Sequence, residues 1–502
     1  MRADSAASWL GGVLVFSVSA LTLCSLPLAD AVYFTGDEGM ELMKGLLWSR
    51  GYALYDDVWS DQPPLLTVLL GWLFDLVGPS LLAARLMAMC FALLLFGGVF
   101  ALVGQQQGVW SGGAAAILLL GSPVVMNLSV SAMQEIPAFA VGMGSAYILF
   151  RWRRRQTLSL LTLSAVIMGI ALAIKFTVFL LWPAVLLELA LITGTSDRSQ
   201  TTSGPVTRLS AVGVWVGSSL LVAFALCWLL GCHNLGSLYK SHFVATSQSD
   251  LSRPEDYGFL WYILWHHAET VIAASIGVGL VINQKRVRQI AFPLMILITV
   301  VLVHLLHRPI WDFYYLHLAI PLAWLAGSAI GSFVRVMMAQ RVVQVNPQLL
   351  SMFVCAGLTV VAFGLVFVPV AVRLDSTFKI LNAMPRVKES TVLTIMKANF
   401  AEDQWIFTFP PAYAFHVGAL VPPELAVLSF KRYWSGEMTN DRLIYILEAY
   451  RPKQMLIQKS DMNQRWSAYL NEKYRLAYSD ACQALYLRRP ELGDELGRDE
   501  GR

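Results

Sequence analysis

Two adjacent carboxylates, Asp37 and Glu38, stand in the stretch YFTGDEGM, just beyond the first long apolar run of the chain. A carboxylate held within hydrogen-bond reach of a hydroxyl can serve as its general base. Solvated acids on an outer loop are the plain alternative. A third acid, Glu135, opens an apolar segment in Gln134-Glu135-Ile136-Pro137. A helix start accounts for it well, since the macrodipole favours an acid there by about 0.3–1 kcal/mol and Pro137 suits a first turn. Lys175 sits between two apolar stretches in ALAIKFTVFLLW. A lysine at the bilayer centre costs about 2.5–3.5 kcal/mol on insertion scales, and less when it snorkels. It is therefore either a snorkelling residue of a short hairpin or a cation aimed at an anionic lipid phosphate.

The fourth cluster lies in HLLHRPIWDFYYLHLAIPLAWLAG, residues 304–327, with His304, His307, Arg308, Trp311, Asp312, Tyr314, Tyr315 and His317. Aromatic belts at membrane interfaces account for the Trp and Tyr residues, but not for the histidines, arginine and aspartate among them. His304 and His307 are three apart, which is weak evidence for a metal site. A phosphate-binding and sugar-stacking surface fits the same residues.

These residues must be positioned by an apolar framework. The 502 residues are 56% hydrophobic and 14% charged, against about 25% charged in a typical soluble domain. Several runs approach the roughly 20 residues needed to cross a bilayer core. The fold class expected is mainly α, a polytopic membrane protein with about eleven spans near 9–29, 82–103, 109–126, 136–150, 157–174, 177–193, 209–230, 259–282, 290–306, 316–333 and 349–371. The run 9–29 resembles a secretory signal but is long for one, and is read as a retained span. The net charge of +4 gives no reason to expect nucleic acid. Six cysteines show no CxxC spacing; those in apolar runs, Cys24, Cys90, Cys227 and Cys355, read as core residues. A Cys232–Cys482 disulfide would require both on the outer side.

The segment 63–77 is also apolar, and counting it as a span would reverse every later loop. Left out, it allows Arg151, Arg153, Arg154, Arg155, Arg198, Arg208, Lys285, Arg286, Arg288, Arg335 and Arg341 all to face the cytoplasm, as the positive-inside rule requires. An interfacial helix in the first outer loop, about 30–81, is the consistent assignment. The N-terminus is then cytoplasmic and every candidate acid and cation lies toward the outer side. From 372 charge density rises, and strand-like runs at Trp405–Phe409, Gln454–Gln458 and Ala484–Arg488 alternate with helix-like stretches near 441–450 and 464–473. That pattern predicts a small extracytoplasmic α/β domain over 372–490 after a membrane domain over 1–371, with a disordered tail at 491–502. No GxxxxGK[ST] phosphate loop is present, so any group transfer on the outer side needs a donor delivered by the membrane.

Taken together, Gly36-Asp37-Glu38, Gln62-Pro63-Pro64-Leu65, Gly78-Pro79-Ser80, Ala84-Arg85-Leu86, Glu135, Ile174-Lys175-Phe176 and His307-Arg308-Pro309 resemble the C-type glycosyltransferase superfamily. The likeness is greatest to the bacterial relatives of protein O-mannosyltransferase and of the lipid A aminoarabinose transferase. It covers most of residues 30–180 and thins beyond. The resemblance implies a glycosyltransferase of the inner membrane that moves a hexosyl or pentosyl group from a polyprenyl phosphate to an acceptor hydroxyl, with inversion. The acceptor would be a lipid, protein or glycan, and no cofactor is implied. In that frame Asp37 is the candidate base, with Glu38 and Glu135 orienting; Lys175, Arg308 and Arg85 hold the donor phosphate; Gln62, His307, Tyr314 and Tyr315 line the substrate cavity. No metal ligand is assigned. Two departures stand out: Gln62 occupies a position where the family often has lysine, and Met40 lies where some relatives carry a basic residue. A transporter or lipid flippase is the alternative, although its ionisable residues should sit nearer mid-span; a non-catalytic scaffold leaves the clustering of charge without a purpose.

Overall fold

The computed structural model describes residues 2–191, 208–233, 235–244, 261, 264–307, 310–340, 349–462 and 464–490. Arg198, Arg308, Arg341, the part 245–258 of an expected outer loop and the expected tail 491–502 lie outside them. Each apolar run expected as a span is largely helical where described. Among the described residues three helices are long and apolar enough to cross a membrane: Leu81–Gln107, Leu209–Leu229 and Asp312–Val334. A bent pair raises the number to as many as four. Others of the eleven expected spans, such as Leu158–Ile174 and Ala291–Leu306, are apolar but shorter. The expected span 109–126 is that bent pair: Val109–Leu120 and Pro123–Ser129 meet at 80°. Gly121 ends the first helix, Ser122 is extended, and Pro123 starts the second, where its missing N–H costs nothing.

The chain divides into two compact units. The first comprises Met1–Pro27, Arg85–Leu229 and Asp250–Ala383. In it Tyr315–Gln340 packs on both Ala268–Asn283 and Val109–Leu120, while Leu158–Ile174 lies between Glu135–Arg155 and Arg208–Leu229. Small residues permit the close approaches: a Cβ on Gly327 would lie 2.5 Å from the Ser111 carbonyl oxygen. Polar glue joins three of these helices. Ser145 donates to the Ser164 carbonyl at 2.7 Å, and the Trp215 indole N–H donates to the Ser164 hydroxyl at 3.0 Å, the kind of interhelical bond that stabilises apolar bundles. Arg153, Arg154 and Arg155 occupy the last turn of Glu135–Arg155, where the dipole favours cations.

The second unit comprises Leu28–Ala84, Leu230–Ser249 and Met384–Arg502. The first loop therefore folds with the C-terminal region rather than with the helical bundle, and the helix Leu349–Asn382 runs past the boundary expected at 371. The loop contains two helices. Glu38–Ser49 matches the helical periodicity of its sequence, and Leu65–Val77 forms where an interfacial helix was expected. The loop is tied to the C-terminal region by the Val32 N–H to the Pro385 carbonyl at 2.8 Å and the Val387 N–H to that of Asp30 at 2.7 Å. The sheet has strands β1 (Ile406–Thr408), β2 (Gln454–Gln458), β3 (Tyr474–Ser479) and β4 (Gln483–Arg488) in the order β1-β2-β4-β3. The β1–β2 pair is parallel and the others are antiparallel. Strand β3 was not expected; it follows its helix without a break and only Tyr474 in it is buried, so it lacks the apolar run that marks the other strands.

One cysteine expectation fails in part, and a disulfide that the sequence left open is not formed. Cys232 and Cys482 are free, the first buried and the second exposed, so they form no disulfide. Cys24 and Cys90 are exposed rather than core residues; a helix that meets an apolar solvent can carry a small apolar side chain on its outer face. Gly39 marks a tight approach inside the second unit, since a Cβ there would lie 2.5 Å from the Ala412 backbone nitrogen. Gly39→Ala is expected to destabilise by about 1–3 kcal/mol through overpacking, read as a lower melting temperature of the full chain in detergent. Gly36→Ala, where nothing lies within 4 Å, should melt as the wild type does.

Candidate active site

The candidate residues fall in both units. In the second, Asp37 is the N-cap residue of Glu38–Ser49 and is half-buried. Its side chain makes no cap hydrogen bond to that helix. Glu38 is fully buried. Its carboxylate accepts the Phe34 N–H at 3.0 Å, and its own N–H donates to the Thr35 hydroxyl at 3.2 Å. The turn that presents Asp37 is thus closed by the neighbouring acid. One turn further along, Lys44 donates to Glu41 at 2.8 Å with both side chains mostly buried. This buried pair was not singled out in the sequence, although its i, i+3 spacing on a helix was readable there.

Gln62 follows in a segment held from several sides. The Tyr55 hydroxyl donates to the Gln62 carbonyl at 2.7 Å, and the Gln62 N–H donates to the Ser60 hydroxyl at 3.2 Å. Lys431 donates to Asp61 at 2.6 Å. The His242 ring approaches the Asp61 carbonyl through Nδ1 at 2.8 Å; a carbonyl only accepts, so Nδ1 carries the proton. Burial alone would raise the Asp61 pKa, but the charges of Lys431, His242 and Lys44 outweigh it and hold the carboxyl well below the ordinary value of 3.8. Lys431 and His242 were not expected here, because hundreds of residues separate Lys431 from Asp61 in sequence.

In the first unit, Glu135 begins the helix Glu135–Arg155 and is fully buried. Lys175 falls where Leu158–Ile174 ends; its backbone is extended, with φ −155° and ψ 134°, and a 3-10 turn over Phe176–Leu181 follows. That break aims Lys175 inward, and its ammonium donates to Glu135 Oε1. Lys175 is only 6% exposed, so snorkelling does not describe it, and the carboxylate already holds it. The other carboxylate oxygen, Glu135 Oε2, is buried with no hydrogen-bond partner among the described residues.

Aromatic contacts continue from this pair. Lys175 Nζ lies 5.2 Å from the Phe313 ring centroid. Phe313 meets Tyr314 edge-on, and Tyr314 stacks on His317 at 5.3 Å. His317 stacks in turn on Phe139 at 4.9 Å, one helical turn beyond Glu135, so the contacts close a ring. His304 and His317, both buried, share a hydrogen bond of 3.2 Å between Nε2 and Nδ1. The sequence pattern grouped His304 with His307, but the structure pairs it with His317. His307 instead meets Tyr314 edge-on at 6.1 Å. Tyr315 is buried and stacks on His267 at 4.6 Å. Arg85, in the first turns of Leu81–Gln107, is fully buried. Among the described residues no three His, Cys, Asp or Glu side chains gather as a metal-binding group.

Residues 61–223 match the family model of dolichyl-phosphate-mannose-protein mannosyltransferases. No curated protein matches the chain significantly. Among solved structures the chain is similar to ArnT from Cupriavidus metallidurans bound to undecaprenyl phosphate, at 13% identity and TM-score 0.64, over 96% of this chain and 99% of that one. The apo state of the same protein gives 13% identity and TM-score 0.65, over 97% and 100%. The oligosaccharyltransferase AglB from Archaeoglobus fulgidus, in complex with an inhibitory peptide and a dolichol-phosphate, gives 12% identity and TM-score 0.56, over 96% and 75%. At such identities it is the fold that is shared.

Removing one partner of a buried ion pair leaves the other charge stranded, typically at a cost of about 3–5 kcal/mol. Lys175→Met is therefore expected to melt well below wild type, and Glu135→Gln/Lys175→Met to recover part of the loss in a double-mutant cycle. For Asp61 the folded-state pKa is depressed, so its contribution to stability is full above pH 3.8 and is lost as the pH falls toward the lower folded-state value. Melting curves of wild type and Asp61→Asn should thus converge as the pH is taken below 3.8 and stay apart above it.

Proposed function

We propose that this chain, a membrane protein with the fold of the C-type glycosyltransferases of aminoarabinose-transferase and protein-mannosyltransferase type, transfers a sugar from a polyprenyl phosphate to an acceptor hydroxyl on the extracytoplasmic face of the inner membrane. The observation that carries the proposal is the family match over 61–223, which contains the buried pair of Glu135 and Lys175. Support for the donor class comes from the two similar structures that hold a polyprenyl phosphate, undecaprenyl phosphate in one and dolichol-phosphate in the other.

In the proposed reaction the acceptor hydroxyl oxygen attacks the anomeric carbon. The bond from that carbon to the phosphate oxygen breaks, its electron pair leaves with the lipid phosphate, and the configuration inverts. Asp37 takes the hydroxyl proton. Glu38 is committed to the Phe34 N–H and so shapes the turn that presents Asp37. Lys175 meets the charge that develops on the phosphate, with Arg85 and Arg308 as further cations; fixed charges in an apolar setting act strongly there. Glu135 holds Lys175 in place before the donor arrives. Gln62, His307, Tyr314 and Tyr315 are proposed to line the sugar, with Tyr314 offering a ring face. The acceptor is a lipid, protein or glycan, and the sugar a hexose or pentose.

The test incubates purified protein with labelled polyprenyl-phosphate sugars and extracted acceptors. General-base catalysis typically contributes about 10²–10⁴-fold, so Asp37→Asn should lose at least about a hundredfold in turnover with melting unchanged. Unchanged turnover would remove Asp37 as the base. Absence of any transfer by the wild type, together with lipid translocation in vesicles, would instead support a flippase.

A further inference from the structure

We propose that Lys431 is a positioning residue for Gln62: its ion pair with Asp61 sets the segment Trp59–Gln62 so that the Gln62 carboxamide meets a hydroxyl of the transferred sugar. This deepens the glycosyltransferase proposal above and rests on it for the identity of the ligand.

Two stretches distant in sequence, 241–242 and 431–437, converge on Trp59-Ser60-Asp61-Gln62. Lys431 reaches the Asp61 carboxylate at 2.6 Å, with the two side chains only 11% and 14% exposed. From the stretch 241–242, the Ser241 hydroxyl donates to the Ser60 carbonyl at 3.3 Å, and His242 binds the Asp61 carbonyl at 2.8 Å. The Trp59 indole N–H donates to Glu437 at 3.0 Å, and the Arg432 guanidinium lies over the Trp59 ring at 5.3 Å. Arg432 is itself immobilised by Glu437 at 3.2 Å and by the carbonyls of Glu424 and Val427. With the Tyr55 hydroxyl on the Gln62 carbonyl, the segment is anchored on both its side chains and its backbone.

One group is left over. Gln62 Oε1 is buried and has no hydrogen-bond partner among the described residues. Its main chain is fixed at both the N–H and the carbonyl, while its side-chain oxygen has no partner among the described residues. Burying an amide oxygen unpaired is unfavourable, and so much anchoring around an unpaired group marks it for a ligand. A carboxamide carries no charge and both donates and accepts. That matches a sugar hydroxyl, which also does both, better than a phosphate, which calls for a cation. Lys431 follows Ser429 and Phe430 at the start of the short helix Phe430–Trp434, where the Ser429 hydroxyl accepts the Lys431 N–H at 3.3 Å. The ammonium is thereby delivered from a fixed backbone.

The experiment measures transfer by full-length Lys431→Met, Gln62→Ala, the double variant and Lys431→Arg, normalised to folded protein, together with binding of sugar-free undecaprenyl phosphate. Displacement of a substrate-positioning group by about 1 Å can cost on the order of a hundredfold. Lys431→Met should lose about tenfold or more in turnover, with binding of the sugar-free lipid phosphate within twofold of wild type. Lys431→Arg should recover much of the loss. The double variant should be no slower than Gln62→Ala, because Lys431 acts through Gln62. Wild-type turnover in Lys431→Met, or losses that multiply in the double variant, would overturn the proposal. If wild type transfers no sugar from any polyprenyl-phosphate donor, the enzymatic assignment fails separately, and hydrogen exchange of the segment 59–62 decides the positioning pair: faster exchange in Lys431→Met supports it and unchanged exchange overturns it.

Discussion

Taking Glu135 and Lys175 out of water is an electrostatic constraint on the helical unit. Each ion pays a desolvation penalty of several kcal/mol, and their attraction offsets it only with good geometry. The fold meets that condition through two local breaks. One is the start of the helix Glu135–Arg155, which puts a carboxylate at a favourable dipole end. The other is the extended residue between Leu158–Ile174 and the following 3-10 turn, which turns Lys175 inward instead of letting its helix continue. Buried pairs of this kind are weak contributors to stability, and this one leaves Glu135 Oε2 without a hydrogen-bond partner among the described residues. An apolar pair of the same volume would often serve the packing as well.

The second unit follows a different principle. Its first loop has little apolar core of its own beyond the helices Glu38–Ser49 and Leu65–Val77, and it is completed by hydrogen bonds from the C-terminal region. The backbone bonds at Val32 and Val387, the His416 ring on the Val32 carbonyl at 2.8 Å, and the Lys431–Asp61 pair all join segments far apart in the chain. The C-terminal region is therefore part of what holds Asp37 and Gln62 in place, not an appendage to a membrane domain. The family match stops at residue 223, so it does not reach that region, whereas the fold likeness extends over nearly the whole chain.

The proposed division of labour follows from the chemistry of each group. A half-buried carboxylate at a helix start suits proton transfer, a buried ammonium suits an anionic leaving group, and a neutral carboxamide suits a hydroxyl. Gln62 carries no charge of its own, and a lysine is present beside it, contributed by residue 431 to Asp61. Charge beside Gln62 thus comes from another segment, which no inspection of the local sequence alone would reveal.

Much of this protein was legible as one-dimensional pattern. Apolar runs marked the helices, because burying a backbone in an apolar medium demands internal hydrogen bonding over a minimum length. The carboxylates at 37, 38 and 135 and the lysine at 175 stood out because charge is costly beside such runs. Helical periodicity located Glu38–Ser49, and β-branched and aromatic runs located three of the four strands. What depends on contacts between distant segments was not legible. The pairing of Lys175 with Glu135, of His304 with His317 rather than His307, and of Lys431 with Asp61 is decided by how helices and loops pack, and sequence spacing carries no record of it. The bend at Gly121-Ser122-Pro123 was missed since hydropathy runs through it unbroken. Sequence determined which side chains were expensive enough to need a reason; only tertiary structure decided which partner each one found, because an ion pair or a hydrogen bond is satisfied in space and not along the chain.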